Sequence, residues 1–405
     1  RYTLRAVSSF SSPMGVYDTP QLIRDTASLR RDIGKTDDFM EHLLQPDRPQ
    51  KLFRLYGWCI LLLTGAGAWL MSYFLGKDLV LSWLVLLLGA LPLCGAMSYS
   101  RPFAHLAKRL SLLGGALCGW YGAKIFGGKH TIILRDEDLF PKSSISSNGM
   151  KLYGAYPASR VIAYALAALN AANSPLVDLF ETLLQSQLGS HYPVADHRFY
   201  DIGGIGAEIF DDIVLVGSLA FMRSMGVHMP EGARVRQAVY VSINGELAGV
   251  FALRYKANHS TKTGLRSVLA NRNFSVVLAT RDFLITPELI SAKYELSAAP
   301  LRFPDYRERL RLSANDRNDK NRQGALIAKD SFGAFATAVA AGRKLRISAL
   351  FSAFLSVFSG IVGLALCAAL LLLDAQAVIS PLNMLLFQLI WAAVNGLLTY
   401  VLLRF

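Results

Sequence analysis

The chain has 405 residues, of which 53% are apolar and 18% charged, against roughly 45–50% and about 25% in an ordinary soluble domain. That balance excludes a disordered tail, a collagen-like repeat and a disulfide-stapled secreted domain, and it points to membrane spans. The 42 Lys and Arg against 29 Asp and Glu leave a formal charge of +13. Much of this excess flanks apolar runs, as on the cytosolic side of membrane proteins, so it is read as topology and not as nucleic-acid binding.

Cys59, Cys94, Cys118 and Cys367 are scattered, without a C-x-x-C or a His-x₃-His partner, so neither a disulfide framework nor a metal site is expected. The first fifty residues are polar. With no initiator Met and no signal-peptide pattern, the chain reads as the later part of something longer, or as one that begins late.

In chain order, residues 56–76 (YGWCILLLTGAGAWLMSYFLG) form an uncharged apolar run, and residues 79–98 form a second after Lys77-Asp78. Residues 347–373 and 381–403 form a third and a fourth, separated by DAQAVIS. Each approaches the roughly 20 residues a helix needs to cross about 30 Å of hydrocarbon. Four spans in two hairpins are therefore expected. Lys51 and Arg54 precede the first span, and Arg101, Lys108 and Arg109 follow the second. Arg343, Lys344 and Arg346 precede the third, and Arg404 follows the fourth. The expectation is an integral, multi-pass protein in a lipid bilayer, with both termini and the long middle segment cytoplasmic.

Between the hairpins, residues 104–126 suit a basic amphipathic helix continuing out of the membrane, and HTIILRDEDLF (130–140) reads as strand-like. A helix is expected over 158–188 and a strand over 213–218. Residues 237–255 alternate around Asn244-Gly245, a hairpin signal. A helix over 261–271, a buried strand over 275–280 and a helix start over 283–293 follow. Strands alternating with helices predict an α/β domain with parallel pairing. The charge-dense segment 302–323 reads as a solvated loop or loose helix.

The order of short segments resembles the C-terminal two-thirds of a P-type cation-transporting ATPase, in particular a heavy-metal pump. Leu91-Pro92-Leu93 resembles the family's unwound helix with a central proline. Thr131-Ile132-Ile133-Leu134 resembles the strand that leads into the phosphorylation motif DKTGT. Residues 165–176, 201–218, 245–282, 324–350 and 380–395 resemble, in order, further family segments: the Ser-Glu-His-Pro helix, the nucleotide-domain glycine strands, the return to Thr-Gly-Asp, and the entry and last span of the final hairpin. The resemblance implies an α-helical membrane protein with four spans and a cytoplasmic, haloacid-dehalogenase-like α/β domain carrying a small α+β insertion. It divides the chain into an N-terminal cytoplasmic segment (1–50), a first membrane hairpin (51–103), a stalk with the first part of a phosphorylation-type domain (104–145), a nucleotide-type insertion (146–245), the rest of the phosphorylation-type domain (246–342) and a second hairpin (343–405).

The resemblance also implies which residues stand at the family's working positions. Arg135 occupies the place of the phosphorylated Asp, and a guanidinium cannot accept a phosphoryl group. A register shift of one would put Asp136 there, followed by Glu137 and Asp138 instead of Lys and Thr. Thr280-Arg281-Asp282 replaces Thr-Gly-Asp, and Arg307 in Pro304-Asp305-Tyr306-Arg307 replaces the phosphate-neutralising Lys. The magnesium motif is not recognisable, and the likeness of Asn315-Asp316-Arg317-Asn318-Asp319 to it is read as coincidence. Ser174-Pro175 stands for His-Pro, and Gly204, Gly206 and Gly217 are the weak nucleotide-binding candidates.

In the membrane core the candidates are Pro92, Cys94, Ser98, Asn383, Gln388 and Asn395, with no metal-ligating pair; Gly65, Gly67, Gly360 and Gly363 read as helix-packing positions. The sequence thus predicts a catalytically inactive scaffold or regulator, with a possible protein partner and no certain cofactor. Two alternatives stand beside it. One is an active cation pump with divergent motifs, using ATP and Mg²⁺. The other is a membrane-tethered module that binds an anionic ligand or partner on Arg135, Arg281, Lys262 and Arg307.

Overall fold

The computed structural model describes residues 14–23, 26–33, 39–44, 48–92, 95, 100–128, 130–272, 274–314, 326–328 and 332–402. The chain divides into two compact units. The first comprises Arg1–Tyr17, Ile33–Gly128 and Gln323–Phe405, and the second comprises Asp18–Asp32 and Lys129–Arg322.

The polar N-terminal stretch holds two strands, β1 (Met14–Ile23) and β2 (Thr26–Ile33). A short helix α1 (Phe39–Leu43) buries Phe39 against Ala116 and Cys118, whose thiol donates to the Phe39 carbonyl at 3.2 Å. Helix α2 (Arg48–Leu75) carries the first apolar run. Helix α3 (Leu79–Ala90) is N-capped by Asp78, whose carboxylate accepts the Leu81 N–H at 2.8 Å. It stops at Leu91 because the following Pro92 disfavours helical backbone in the residue before it.

The second expected span, 79–98, is therefore a 12-residue helix over its described part. Cys94 and Ser98 lie outside the described residues. Among the described residues three helices are long and apolar enough to cross a membrane: the one ending at Leu75, α13 and α14 below.

The expected single helix over 104–126 is two, α4 (Ser100–Leu112) and α5 (Gly119–Phe126), with β3 (Gly115–Leu117) between them. Gly114 (φ 72°) and Gly119 (φ 46°) make both corners, a conformation that costs a residue with a Cβ. The run 130–140 is likewise divided, into strand β4 (His130–Leu134) and one helical turn, α6 (Asp136–Leu139). The Asp138 carboxylate ends the strand by accepting the Arg135 N–H at 3.0 Å.

After β5 (Ile145–Leu152), the expected helix 158–188 is α7 (Ala158–Ala171) and α8 (Val177–Ser186), broken where Asn173 turns left-handed (φ 48°) ahead of Pro175. Then come β6 (Asp196–Tyr200), β7 (Gly204–Ile209), β8 (Asp212–Gly217), α9 (Leu219–Ser224), β9 (Ala238–Ile243) and β10 (Glu246–Tyr255). The turn between β9 and β10 is Asn244-Gly245 with both φ angles positive, as that dipeptide predicts.

Helix α10 (His259–Leu269), β11 (Phe274–Leu278), α11 (Pro287–Tyr294), β12 (Leu301–Arg302) and α12 (Tyr306–Ser313) complete the second unit. Helix α12 lies inside the segment expected to be solvated, yet it buries Tyr306, Arg309, Leu312 and Ser313 on one face. The Asn315–Asp319 stretch lies outside the described residues. Strand β13 (Leu326–Ala328) and the long helices α13 (Phe332–Leu372) and α14 (Pro381–Leu402) return the chain to the first unit.

Two sheets organise the second unit. A parallel set runs in the order β12-β11-β4-β2, so the N-terminal strand β2 lies beside β4 with Leu29 opposite Ile132. A six-stranded antiparallel sheet runs β5-β10-β9-β8-β7-β6. Parallel pairing, expected for the whole domain, is confined to the first of these. The antiparallel sheet spans residues 145–255, so the chain leaves it ten residues beyond the expected edge at 245. In the first unit, the start of β1 pairs antiparallel with β13 and β13 with β3.

In the first unit, α3 crosses α13 where Gly89 meets Gly363 with almost no gap; a Cβ on Gly363 would fall 2.1 Å from the Gly89 carbonyl oxygen. The last carbonyl of α3 and that of its C-cap, Leu91, are met by side chains. The Tyr56 hydroxyl donates to Ala90 at 2.7 Å, and the Gln388 amide donates to Leu91 at 2.9 Å. Asn395 of α14 donates to the Ser352 carbonyl and the Ser356 hydroxyl of α13 and accepts from the Ser352 hydroxyl at 2.6 Å. Asn383 turns instead to the nearby Val378 carbonyl at 2.8 Å.

Candidate functional site

Parallel sheets gather ligand-binding groups at the carboxyl ends of their strands. Here β4 and β11 are neighbours, with Leu134 opposite Leu278 and the Ala279 N–H donating to the Leu134 carbonyl at 2.7 Å. Arg135, Asp136, Thr280, Arg281 and Asp282 therefore emerge side by side. Of these, Arg135, Asp136 and Arg281 open onto a cavity of about 420 Å³, also lined by Glu137, Lys142, Asn173, Pro175 and Ser313.

Asp136 is 6% exposed, and its carboxylate is held by backbone. One oxygen accepts N–H bonds from Arg281 (3.1 Å) and Asp282 (3.0 Å), and the other accepts from Arg281 at 2.9 Å. Burial raises the acid's pKa, and these N–H donors oppose the rise. Asp282 is fully buried; it accepts the Tyr255 hydroxyl at 2.6 Å and the Leu284 N–H at 2.9 Å. Burial, and then the neighbouring Asp136 charge, push its carboxyl up to about 7. Tyr255, at the last position of β10, is raised well above the ordinary phenol range by burial and by Asp282. This tyrosine ties the antiparallel sheet to the parallel one, and sequence reasoning missed it.

The remaining sequence candidates fall into two groups. Thr280 is fully buried and spends its hydroxyl on the Ile285 carbonyl at 3.2 Å. Arg281 lines the cavity, and its Nε donates to the Ser313 hydroxyl at 2.8 Å. Arg307 is exposed, whereas Arg309, two residues on, is buried and donates to the Thr280 carbonyl at 3.1 Å. Arg309 also lies 4.2 Å from the centre of the Phe303 ring. Burial lowers its pKa from the usual guanidinium value. The four-residue cationic patch thus comes apart: Arg135 and Arg281 line the cavity, Lys262 pairs with Glu295, and Arg307 faces outward.

The glycines lie in the antiparallel sheet. Gly204 and Gly217 are opposite one another on β7 and β8, and a Cβ on either would fall 2.1 or 2.4 Å from the Phe221 ring. Gly206 faces Tyr200, 3.3 Å from where its Cβ would stand. The bare backbone at 204 and 217 makes room for a phenyl ring of the chain's own core. Ser174 is buried, and its hydroxyl accepts the Leu176 N–H at 3.3 Å.

A hard divalent cation needs several oxygen ligands at once. Among the described residues no group of three or more His, Cys, Asp or Glu comes together. At the cavity the Asp136 oxygens are already on N–H donors beside two guanidiniums, so these residues do not fit Mg²⁺.

No family model matches the chain, and no curated protein does. Among solved structures it is similar to a zinc-transporting PIB-type ATPase, at 12% identity over 97% of this chain and 74% of that one, with a TM-score of 0.42. It is similar to the catalytic domain of the CPx-ATPase CopB-B at 15% identity, covering 49% of this chain and 69% of that one, with a TM-score of 0.31. The N-domain of HMA8, a copper-transporting P-type ATPase, is matched at 23% identity over 26% of this chain and 98% of that one, with a TM-score of 0.23.

Proposed function

We propose that this chain is a P-type-ATPase-like membrane protein that has lost phosphoryl transfer and works as a scaffold or regulator. One observation carries the reading. The residue that follows β4 is Arg135, and the nearest carboxylate, Asp136, has both oxygens committed to backbone N–H groups. A phosphoryl acceptor needs a carboxylate lone pair free to approach phosphorus and a cation to neutralise the transferred group. Three hydrogen bonds to the loop after β11 hold the Asp136 carboxylate in place and oppose its approach to phosphorus, and the described residues offer no Mg²⁺ cage for the second.

The rest of the reading is consistent with that. The parallel set β12-β11-β4-β2 with an antiparallel sheet inserted after β4 supports a haloacid-dehalogenase-like plan with a nucleotide-type insertion. Its glycines at 204 and 217 serve the packing of Phe221. The apolar sequence 79–98 supports a fourth span, and the basic residues Lys51, Arg54, Arg101, Lys108, Arg109, Arg343 and Lys344 support a cytoplasmic second unit.

The test is incubation of the purified full chain with ATP labelled on its γ-phosphate. No hydrolysis above background and no acid-stable label are expected. Label that Asp136→Asn abolishes would make Asp136 the nucleophile and the protein a working pump. The orientation is tested by single-cysteine labelling from outside sealed cells: position 78 reacts, and modification at position 320 refutes the topology.

A further inference from the structure

An asparagine followed by glycine is prone to rearrange without any enzyme. The glycine nitrogen attacks the asparagine side-chain amide from within the chain, and a residue without a Cβ lets it approach. The chain holds three such pairs, Asn148-Gly149, Asn244-Gly245 and Asn395-Gly396, and the fold treats them differently. The Asn244 amide donates to the Asp212 carboxylate at 2.8 Å, and its oxygen accepts the Ile213 N–H at 2.9 Å. Asn395 is 3% exposed, is bonded to Ser352 and Ser356, and lies within helix α14, where the backbone is fixed.

Asn148 has none of these restraints. It is exposed on β5, an edge strand of the antiparallel sheet, and among the described residues no hydrogen bond engages its side chain. The β5–β10 register jumps at this point. Met150 faces Phe251 and Ser147 faces Leu253, so Asn148 and Gly149 together stand against Ala252. Such a bulge breaks the ladder at the added residue. Gly149 has φ 112°, and a Cβ built on it would meet nothing within 4 Å, so the space beside it is open.

We propose that Asn148-Gly149 is a self-modification site, at which the folded chain converts to aspartyl and isoaspartyl forms while the other two pairs persist. The Gly149 nitrogen gives up its proton and bonds to Cγ of Asn148. The Cγ–Nδ2 bond breaks, and the side-chain nitrogen leaves as ammonia, carrying that proton. Water then opens the succinimide ring. Opening at Cγ gives aspartate, and opening at the Asn148 carbonyl carbon gives isoaspartate, whose chain runs through Cβ and Cγ. Nothing is oxidised or reduced, and water is the co-reactant. The bulge also accommodates the product. Isoaspartate adds a backbone carbon where two residues already oppose a single partner, between the pairs Ser147–Leu253 and Met150–Phe251. The new carboxylate lies on an exposed edge, where it stays hydrated.

The experiment incubates the purified full chain in detergent at mildly alkaline pH, in water enriched in heavy oxygen. The label enters carboxyls made during that incubation, so conversion during later digestion is not counted. Peptide mass spectrometry follows the three pairs, and fragmentation separates aspartyl from isoaspartyl. Conversion at Asn148 should be roughly tenfold or more faster than at Asn244 or Asn395. In the guanidinium-denatured chain the three rates should come within about fivefold of one another. The converted sample should unfold within about 4 °C of fresh protein. No conversion at Asn148 in the folded chain, or conversion as fast at Asn244 or Asn395, overturns the proposal. So does a tenfold order that survives denaturation, because the fold is then not its cause. A larger fall in the unfolding midpoint overturns the accommodation by the bulge.

Discussion

Asp282 should make the second unit less stable as pH rises through neutrality. In the unfolded chain its carboxyl titrates near 3.9; in the folded chain burial and the Asp136 charge bring it to about 7. The folded state therefore holds a proton between about pH 4 and 7 that the unfolded state has released. Stability falls with pH wherever the folded state binds more protons, so this contribution is complete below about pH 4 and gone above about pH 7. At 1.36 kcal/mol per unit, a rise of roughly three units amounts to about 4 kcal/mol, of which about 3 kcal/mol is lost between pH 5 and pH 8.

Asp136 is raised too and adds with the same sign, so the test is a difference between two chains. Hydrogen exchange in peptides covering 255–284 would be followed across that pH range for wild type and for Asp282→Asn. The asparagine stays neutral and keeps an acceptor for Tyr255. The variant should lose about 3 kcal/mol of the pH-dependent change. An unchanged slope in Asp282→Asn, or a wild type that gains stability relative to it towards pH 8, would refute the argument.

Three further outcomes follow from the packing. Gly204→Ala and Gly217→Ala should each cost about 1–3 kcal/mol, because their methyls overlap the Phe221 ring, and Phe221→Leu should recover part of it in urea unfolding; a neutral effect would show that the sheet yields freely. Asn395→Leu should cost about 1–2 kcal/mol in detergent unfolding through the lost bonds to Ser352 and Ser356, and no loss would mean that helix packing alone holds α13 to α14. Arg309→Met should destabilise by about 1–3 kcal/mol by stranding the Thr280 carbonyl, while Arg307→Met stays within about 0.5 kcal/mol; the reverse order would contradict the assigned faces of α12.

What the sequence made legible was what local chemistry decides. The apolar runs, the β-branched stretches of β4 and β11, and the Asn244-Gly245 turn carry their own signals, since each follows from neighbours a few residues away. The strands β1 and β2 carried none. Their residues mix polar and apolar types with Gly15 and Pro20, and β2 is a strand because β4 lies beside it, which strand propensity does not foresee. Arg307 was chosen by counting from a proline, whereas helical turn puts Tyr306, Arg309 and Leu312 on the inward face. Asp136 was weighed as a shift of register, but its seat is built by a loop nearly 150 residues away. The small-residue helix crossings showed at the glycines, and Gln388 stood out as a polar residue in a span; Tyr56 did not, because it answers a carbonyl of another helix.

The pairing of Met14 with Ala328 also sets a timetable. One edge of the sheet in the first unit is made first, and its mate is made more than 300 residues later. At roughly 5–20 residues per second the ribosome takes on the order of 15–60 s to deliver the second strand. Throughout that interval β1 has an open edge while successive apolar helices emerge behind it, the condition under which strands find wrong partners. The β1–β13 edge therefore closes only after β13 is made, and a nascent chain released before Leu326 should leave that edge of β1 without its mate.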